Sequence, residues 1–260
     1  MIKQIYNRQD LPLGDLQRIG LAGGNQIMLD EDDLKALQAG RRTDMLRLEN
    51  LSADGLHIPA LDAKLSVKPN DAGILELMVH PIYREPEAPS FLTDTQAEML
   101  EKGEVPNLQK TIFDDEGHQK EVLVEFDKDT NEFIITDTEK IQAPDMVNGR
   151  LLTAEQKERY RKGKEVETED GTTLQYAATE NQGIRSDKLA LIASILIDGG
   201  VSFVLYKGLN ALFNKKQDKA PGKNFDRALQ DMSAAQFAEK STVLGAGEDF
   251  EEDYLQGVAR

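Results

Sequence analysis

Three stretches of the chain share one arrangement of apolar, capping and glycine positions. Each begins with a leucine followed by Asp or Thr, and each ends in a glycine. The leucines are Leu29, Leu92 and Leu152, so the pattern recurs after 63 residues (from 29 to 92) and again after 60 residues (from 92 to 152). A regular spacing of this size is typical of repeated structural units.

The chemistry of each stretch predicts one short helix, near residues 30–40, 93–102 and 153–162. The expected N-caps are Asp30, Thr93 and Thr153, because their side-chain oxygens can accept hydrogen bonds from free backbone N–H groups. Gln96 and Gln156 stand three residues after the threonines and complete capping boxes, whereas Asp33 gives a weaker variant after Asp30. The glycines that can end the helices in the left-handed conformation are Gly40, Gly103 and Gly163.

After each helix, apolar and polar residues alternate, which is the pattern of a half-buried strand. In the first unit the alternating residues are Leu61, Ala63, Leu65 and Val67, then, after a turn at residues 69–73, Leu75, Leu77 and Val79. In the second unit they are Val122, Val124 and Phe126, then, after a turn at residues 127–131, Phe133 and Ile135. In the third unit Asp170-Gly171 predicts a hairpin turn ahead of Leu174 and Tyr176.

These elements predict an α+β fold of three repeated small units, each a short capped helix with antiparallel strands. One helix and one hairpin bury little surface alone, so we expect the units to pack together. The predicted boundaries are 1–88 for the first unit, 89–148 for the second and 149–186 for a third, partial unit. An apolar helical segment then covers 187–214, and a linker with a disordered acidic tail covers 215–260.

The apolar segment runs from Leu189 to Tyr206 and carries one charge, Asp198, in 18 residues. Its length reaches the lower bound for a membrane span, and lysines stand on both sides of it. The central Asp198-Gly199-Gly200 favours a turn instead, which would divide the segment into two short helices buried against the units. The sequence leaves both alternatives open: membrane contact, for example as a re-entrant hairpin, or a buried helical hairpin.

The composition of the chain changes after Asn214, where the predicted tail begins. Phe225, Leu229, Met232 and Phe237 have the spacing of one weakly amphipathic helix. Residues 248–254 then form an acidic stretch with aromatic residues, which is typical of a disordered tail that can dock on a basic partner.

The composition limits the classes of partner. The formal net charge is -16, and a field of that sign repels phosphate backbones, so nucleic acid is an unfavourable partner. The chain has no cysteine, which excludes disulfides, thiolate nucleophiles and Cys-ligated zinc and fits a reducing compartment. The first residues lack a long apolar run, so no secretory signal is predicted there.

The residues that could act in catalysis or bind a metal ion are scattered along the sequence. His57, His80 and His118 share no helical face or ligand spacing. Residues 127–131 imitate the start of a calcium loop, but Glu132 and Thr138 occupy the places of the required glycine and glutamate. We therefore interpret residues 127–131 as a solvated hairpin turn. The sequence predicts no catalytic, cofactor-binding or metal-binding residue and no cofactor.

One local basic cluster lies around the third helix and consists of Lys157, Arg159, Arg161, Lys162 and Lys164. Because Glu155, Glu158 and Glu165 are interspersed with these cations, we interpret the cluster as a salt-bridged surface. Contact with nucleic acid or with an acidic partner is the alternative.

Several of these stretches resemble known domain families. Residues 13–21 (LGDLQRIGL), 60–66 (ALDAKLS) and 80–82 (HPI) resemble a domain of unknown function from Bacteroidetes. The Leu-Thr-x-x-Gln…Gly stretches at 92–103 and 152–163 resemble a second, commonly adjacent domain of unknown function. The resemblance covers roughly residues 10–180 and implies a protein of a bacterial conjugative or mobilisable element. It implies no catalytic residue.

The sequence thus predicts a non-catalytic interaction or scaffold protein, because repeated units form extended binding surfaces more often than active sites. Its protein partner is not indicated by any motif. A regulator that binds nucleic acid through local basic patches is the alternative. The expected location is the cytoplasm, with contact to the cytoplasmic face of the inner membrane if residues 189–206 meet the bilayer.

Overall fold

A computed structural model describes residues 6–53, 56–114, 116–188, 190–197, 200–207, 224–225 and 227–233. These residues form a mixed α+β fold with several small antiparallel sheets and few helices. The N-terminal elements are α1 (Leu13–Arg18), β1 (Ala22–Gly23), β2 (Gln26–Ile27), α2 (Glu31–Gln38), β3 (Leu46–Ala53), β4 (Leu56–Pro69) and β5 (Leu75–Pro81). The next elements are α3 (Asp94–Lys102), β6 (Leu108–Phe113), β7 (Gln119–Asp127) and β8 (Glu132–Asp137).

The remaining elements belong to the C-terminal half of the fold. They are β9 (Met146–Val147), β10 (Arg150–Leu151), α4 (Ala154–Arg161), β11 (Val166–Glu167), β12 (Thr173–Tyr176), β13 (Ile184–Ser186), β14 (Ala190–Ile197) and β15 (Gly200–Lys207). Strands β3–β5 form the first sheet, β6–β8 the second and β11–β13 the third. A fourth sheet has the order β10-β9-β14-β15, and β1 pairs with β2 in a small hairpin.

The three predicted helices form and begin at the predicted residues. Thr93 and Thr153 each accept a hydrogen bond from the backbone N–H of the glutamine three residues on, and that glutamine accepts one from the backbone N–H of the threonine. Asp30 also caps its helix by accepting from the Asp33 N–H at 2.8 Å. The reciprocal bond is missing there because the Asp33 carboxylate accepts instead from the Asp44 N–H at 2.7 Å.

The three helices also end in the same way. The glycine N–H donates to the carbonyl three residues back, and the next N–H donates to the carbonyl five residues back from itself. This pair of bonds requires a left-handed residue, and the φ angles of Gly40, Gly103 and Gly163 are 66°, 70° and 64°. The predicted glycine ends are therefore confirmed.

The capping threonines should contribute measurably to stability. Thr93→Ala and Thr153→Ala are each expected to lower the free energy of unfolding by roughly 0.5–2 kcal/mol, because each leaves a helical N–H without its acceptor. Urea denaturation followed by circular dichroism measures this loss. Thr95→Ala is the matched control, since Thr95 is an exposed residue in the first turn of α3 and caps nothing. If Thr93→Ala and Thr95→Ala gave equal curves, the cap would have no energetic role.

The central strands of the sheets provide the core. On β4, the alternating residues Ala63, Leu65 and Val67 are buried in one cluster with Leu34 and Leu37 of α2. On β7, Val122 and Val124 pack in a cluster with α3. These are the faces that the alternation of the sequence predicts.

Strand β7 is also buried on its opposite face, which the alternation does not predict. Leu123 packs into the cluster of the third and fourth sheets, and Glu125 and Asp127 on the same face are each 1% exposed. The second sheet is therefore covered by α3 on one side and by other parts of the chain on the other side.

The predicted helical hairpin at residues 189–206 is wrong. The segment forms strands β14 and β15, paired antiparallel from Ala190 with Lys207 to Ile197 with Gly200, and β14 also pairs with β9. A strand covered on both faces gives a continuous apolar run, which periodicity alone cannot distinguish from a buried helix. Among the helices of the described ranges, none is long and apolar enough to cross a membrane.

Residues 191–194 of β14 lie inside the protein. Leu191 and Ala193 belong to the cluster that contains Tyr160 and Tyr176, whereas Ile192 points to the other side. There Ile192 packs against a short helix at residues 227–233 through Ala228 and Met232. The predicted amphipathic helix is thus present at Leu229 and Met232, while Phe237, the acidic stretch at 248–254 and the Asp198-Gly199 turn lie outside the described residues.

Candidate interaction site at the junction of three sheets

The first three sheets meet at a cluster of buried charged residues, called the junction below. Its members are Arg42, Lys64, His80, Glu125, Asp127, Glu132 and the turn at residues 177–183 between β12 and β13. Lys64 and Glu125, on the central strands of the first two sheets, face away from the helices that pack on those sheets, α2 and α3. The junction is therefore formed by the contacts between the sheets.

Lys64 and Asp127 form the centre of the junction. Lys64 lies on β4 between the core residues Ala63 and Leu65, so its side chain is on the opposite face of the strand. On that face it is only 2% exposed. Its Nζ is 3.1 Å from Asp127 Oδ1, 2.9 Å from Asp129 Oδ2 and 3.3 Å from the Thr179 carbonyl oxygen. Burial alone would lower the pKa of the Lys64 ammonium, but Asp127 and Asp129 outweigh it and raise this pKa above its usual value. One cation thus contacts all three sheets.

Arg42 and His80 extend the network at the side of the first sheet. Arg42 Nη1 lies 2.7 Å from Glu132 Oε2, 3.2 Å from Thr130 Oγ1 and 3.6 Å from Asp127 Oδ2. His80 Nδ1 lies 3.2 Å from Glu132 Oε2, and its Nε2 lies 2.8 Å from Ser66 Oγ. Because a carboxylate only accepts, Nδ1 carries the proton and Nε2 accepts from the serine hydroxyl. Burial, with help from Arg42, lowers the pKa of His80, so the neutral imidazole is favoured.

The turn at residues 177–183 joins the third sheet to both of the other two sheets. Its backbone supplies the Thr179 carbonyl to Lys64, the Asn181 carbonyl to Arg41 Nε at 3.0 Å and the Ala178 N–H to Glu125 Oε2 at 2.6 Å. The Asn181 amide donates to Asp33 Oδ1 at 3.3 Å. Backbone groups that a free turn would expose to water are therefore bonded to the first and second sheets.

These contacts correct one interpretation made from the sequence and place the three histidines. The predicted hairpin turn at 127–131 forms between β7 and β8, but it is only partly solvated, because Asp127 and Thr130 are buried, and Asp127 and Asp129 both contact Lys64. His80 is part of the junction, whereas His57 is exposed beside Ser52 and His118 is exposed beside Asp114 and Glu116. Among the described residues, no group of three or more His, Asp or Glu is arranged to hold a metal ion.

The basic cluster around α4 is largely paired, as a salt-bridged surface requires. Lys157 lies 2.5 Å from Asp145, and Arg161 and Lys162 lie 3.6 and 3.1 Å from Glu158. Arg159 donates to the Glu165 carbonyl oxygen at 2.9 Å. These bonds engage four of the five cations of the cluster within the protein.

Apolar side chains exposed at the seam of the first two sheets form a candidate contact surface. Ile82 and Tyr83 follow β5 and are 57% and 43% exposed. Their backbone is fixed to the second sheet, because the Tyr83 N–H donates to the Thr130 carbonyl at 2.9 Å and the Asn131 amide donates to the Tyr83 carbonyl at 3.0 Å. Exposed apolar groups on a rigid backbone are typical of protein contact sites.

The sequence contained only a weak signal for the junction. Lys64 and Glu125 are charged residues that alternate with apolar ones, at the positions where a strand with one solvated face would expose them to water. Their burial depends on partners more than 50 positions away along the chain, such as Asp127 for Lys64 and Ala178 for Glu125. No local pattern encodes such pairs.

Fold and junction together define a multi-sheet α+β protein whose sheets are joined by buried ion pairs. The family model described as Protein of unknown function (DUF4099) matches residues 6–90, which contain α1, α2 and the first sheet. Neither the curated proteins nor the solved structures gave a match to the chain.

Proposed function

We propose that the chain is a non-catalytic interaction or scaffold protein that holds a protein partner on the outer surface of three joined, repeated units. The junction is the observation that supports this best, because it joins the sheets through bonds that fix their relative positions. A fixed arrangement of several sheets presents a wider surface than one small unit could. The net charge of -16 favours a protein partner over nucleic acid.

The interpretation as three repeated units has support in local geometry. The capping bonds at the start of α3 and α4 are the same, and all three helices end in the same pair of bonds at a left-handed glycine. A three-stranded antiparallel sheet follows each helix. On the resemblance to domains of unknown function, we propose that the protein belongs to a bacterial mobile element active in conjugation or mobilisation in Bacteroidetes. A cytoplasmic location near the inner membrane likewise stays a prediction.

The surface at Ile82 and Tyr83 allows a direct test. The full-length chain, carrying an affinity tag, is purified under mild conditions from cells that carry its gene, after nuclease treatment. We expect one protein to copurify in a fixed ratio. Ile82→Ser should reduce its recovery at least about tenfold, as loss of a buried apolar anchor does at interfaces. Glu85→Ser is the matched control, since Glu85 is exposed three residues further along.

Nucleic acid binding is the competing outcome. It would appear as nucleic acid that copurifies before nuclease treatment, with an affinity that falls roughly 10³–10⁵-fold between about 50 and 200 mM salt. That result, or a partner recovered equally with Ile82→Ser and Glu85→Ser, would contradict the proposed contact surface.

A further inference from the structure

Glu125 is unusual in the junction because its carboxylate is buried and only one of its two oxygen atoms accepts a hydrogen bond. Oε2 accepts from the Ala178 N–H at 2.6 Å, and Oε1 has no hydrogen-bond partner within the described part of the chain. The residue is 1% exposed. An ionised carboxylate in such a place loses its hydration without full replacement, which is costly.

The charges around Glu125 do not compensate its own. From its own strand it faces Asp127, and from the turn at 177–183 it faces Glu180, so both carboxylates repel it. The cation that acts on Glu125 is Arg185 on β13, which already contacts Thr179 Oγ1 at 2.9 Å and Glu180 Oε1 at 3.7 Å. Tyr176 of β12 and Tyr160 of α4 also face Glu125, and burial keeps both phenols protonated by raising their pKa values.

The neutral acid form of Glu125 keeps its useful contact. A protonated carboxyl group still has a carbonyl oxygen that can accept from the Ala178 N–H, and it no longer repels Asp127 and Glu180. Burial, reinforced by these two carboxylates and offset in part by Ala178 and Arg185, raises the pKa of Glu125 to about 7. The contact between the second and third sheets therefore gains a proton when it forms.

We infer that Glu125 and the turn at residues 177–183 form a proton-dependent latch, which docks the third sheet on the second when Glu125 is protonated and releases it when Glu125 is ionised. Release would uncover the face of β7 that carries Leu123, which is buried in the cluster of the third and fourth sheets. The protein would thereby expose an apolar surface in response to a change of pH, in addition to the surface that the proposed function uses.

The direction of the effect follows from linkage. Glu125 has a higher pKa in the docked state, about 7, than in an open, solvated state, where glutamate titrates near about 4.3. The stabilisation of the docked state is fully present below about pH 4.3 and is lost as the pH rises to about 7. Within that window the docking equilibrium should weaken by about tenfold per pH unit, and it should level off above pH 7.

Amide hydrogen exchange measures the latch directly. Protection factors of amides in the turn at 177–183 and in β13, corrected for intrinsic exchange, are compared between about pH 5 and pH 8 in the full-length chain. We expect them to fall by about tenfold per unit from pH 5 to pH 7. The amides of β4 should not follow this trend. In Glu125→Gln, which stays neutral, the fall should be much shallower, and only the part that comes from Glu180 in the turn, whose pKa burial also raises, should remain.

Two further variants keep the test decisive. Glu121→Gln, on the same face of β7 but exposed, should behave like the wild type. Asn181→Ala removes the bond to Asp33 and should lower protection of the turn at every pH while keeping the pH slope. A protection factor in the turn that does not change with pH, or one that falls equally in all three sheets and in Glu125→Gln, would overturn the latch.

His80 should respond to pH in the direction opposite to Glu125, which gives a comparison within the same protein. Its pKa is lowered by burial and by Arg42, so protonation disfavours the contact of the first and second sheets as the pH falls below about 6.5. Protection near His80 on β5 should therefore rise with pH, whereas protection of the turn at 177–183 falls. Opposite slopes at the two ends of the junction would distinguish local docking from a uniform change in stability.

Discussion

Replacing Lys64 by methionine is expected to lower the free energy of unfolding by about 3–5 kcal/mol, the cost of leaving a buried charge without its partner. Methionine has a similar length and fits an apolar strand, so the change removes the charge rather than the packing. Asp127 then keeps Arg42 at 3.6 Å and the Asp129 N–H at 3.1 Å but loses its closest cation, and the Thr179 carbonyl loses the Lys64 donor. Urea denaturation followed by circular dichroism measures the loss.

The control for this substitution lies on the same face of the same strand. Lys68 is exposed, and Lys68→Met should change the free energy of unfolding by no more than about 0.5 kcal/mol. Adding Asp127→Asn to Lys64→Met removes the uncompensated carboxylate and should recover part of the loss, which a double-mutant cycle quantifies. Equal effects of Lys64→Met and Lys68→Met would mean that Lys64 is solvated in solution.

The helices of this protein could be predicted because their signals are local. A threonine, a glutamine three residues later and a glycine at the end determine the bonds of one short segment without any distant partner. The alternation in β4 and β7 likewise predicts the faces that pack on α2 and α3. These elements depend on residues within about ten positions of each other.

The arrangement of the sheets could not be predicted in the same way. Strand β14 has the composition of a membrane segment, and its residues 191–194 are buried on both faces, by the Tyr160 cluster on one side and by the helix at 227–233 on the other. The junction has the composition of an ordinary charged surface, yet Lys64 and Glu125 are buried. In both places the environment is formed by segments that are distant in the chain. Hydropathy alone therefore suggests a membrane segment at β14, and charge alone suggests solvent exposure of Lys64 and Glu125, whereas the fold buries residues 191–194 and both charged side chains.

The burial of the apolar segment predicts a second large effect on the free energy of unfolding. Leu191 is 0% exposed and belongs to the cluster with Tyr160, Tyr176 and Leu123. Leu191→Ala should therefore lower the free energy of unfolding by about 2–5 kcal/mol, since it removes buried methyl groups and leaves a cavity. The same urea titration measures it, and hydrogen exchange should show the loss in β12 and β13, which share this cluster.

Leu151→Ala is the matched control, because Leu151 lies in the same sheet on β10 but is 67% exposed. Its substitution should change the free energy of unfolding by no more than about 0.5 kcal/mol. A segment embedded in a bilayer would behave differently: Leu191→Ala would leave the urea midpoint of the remaining fold unchanged, and the wild-type chain would stay with membranes after a carbonate wash. A large loss with Leu191→Ala, in a chain that remains in the supernatant, would establish that residues 190–197 form part of the protein core.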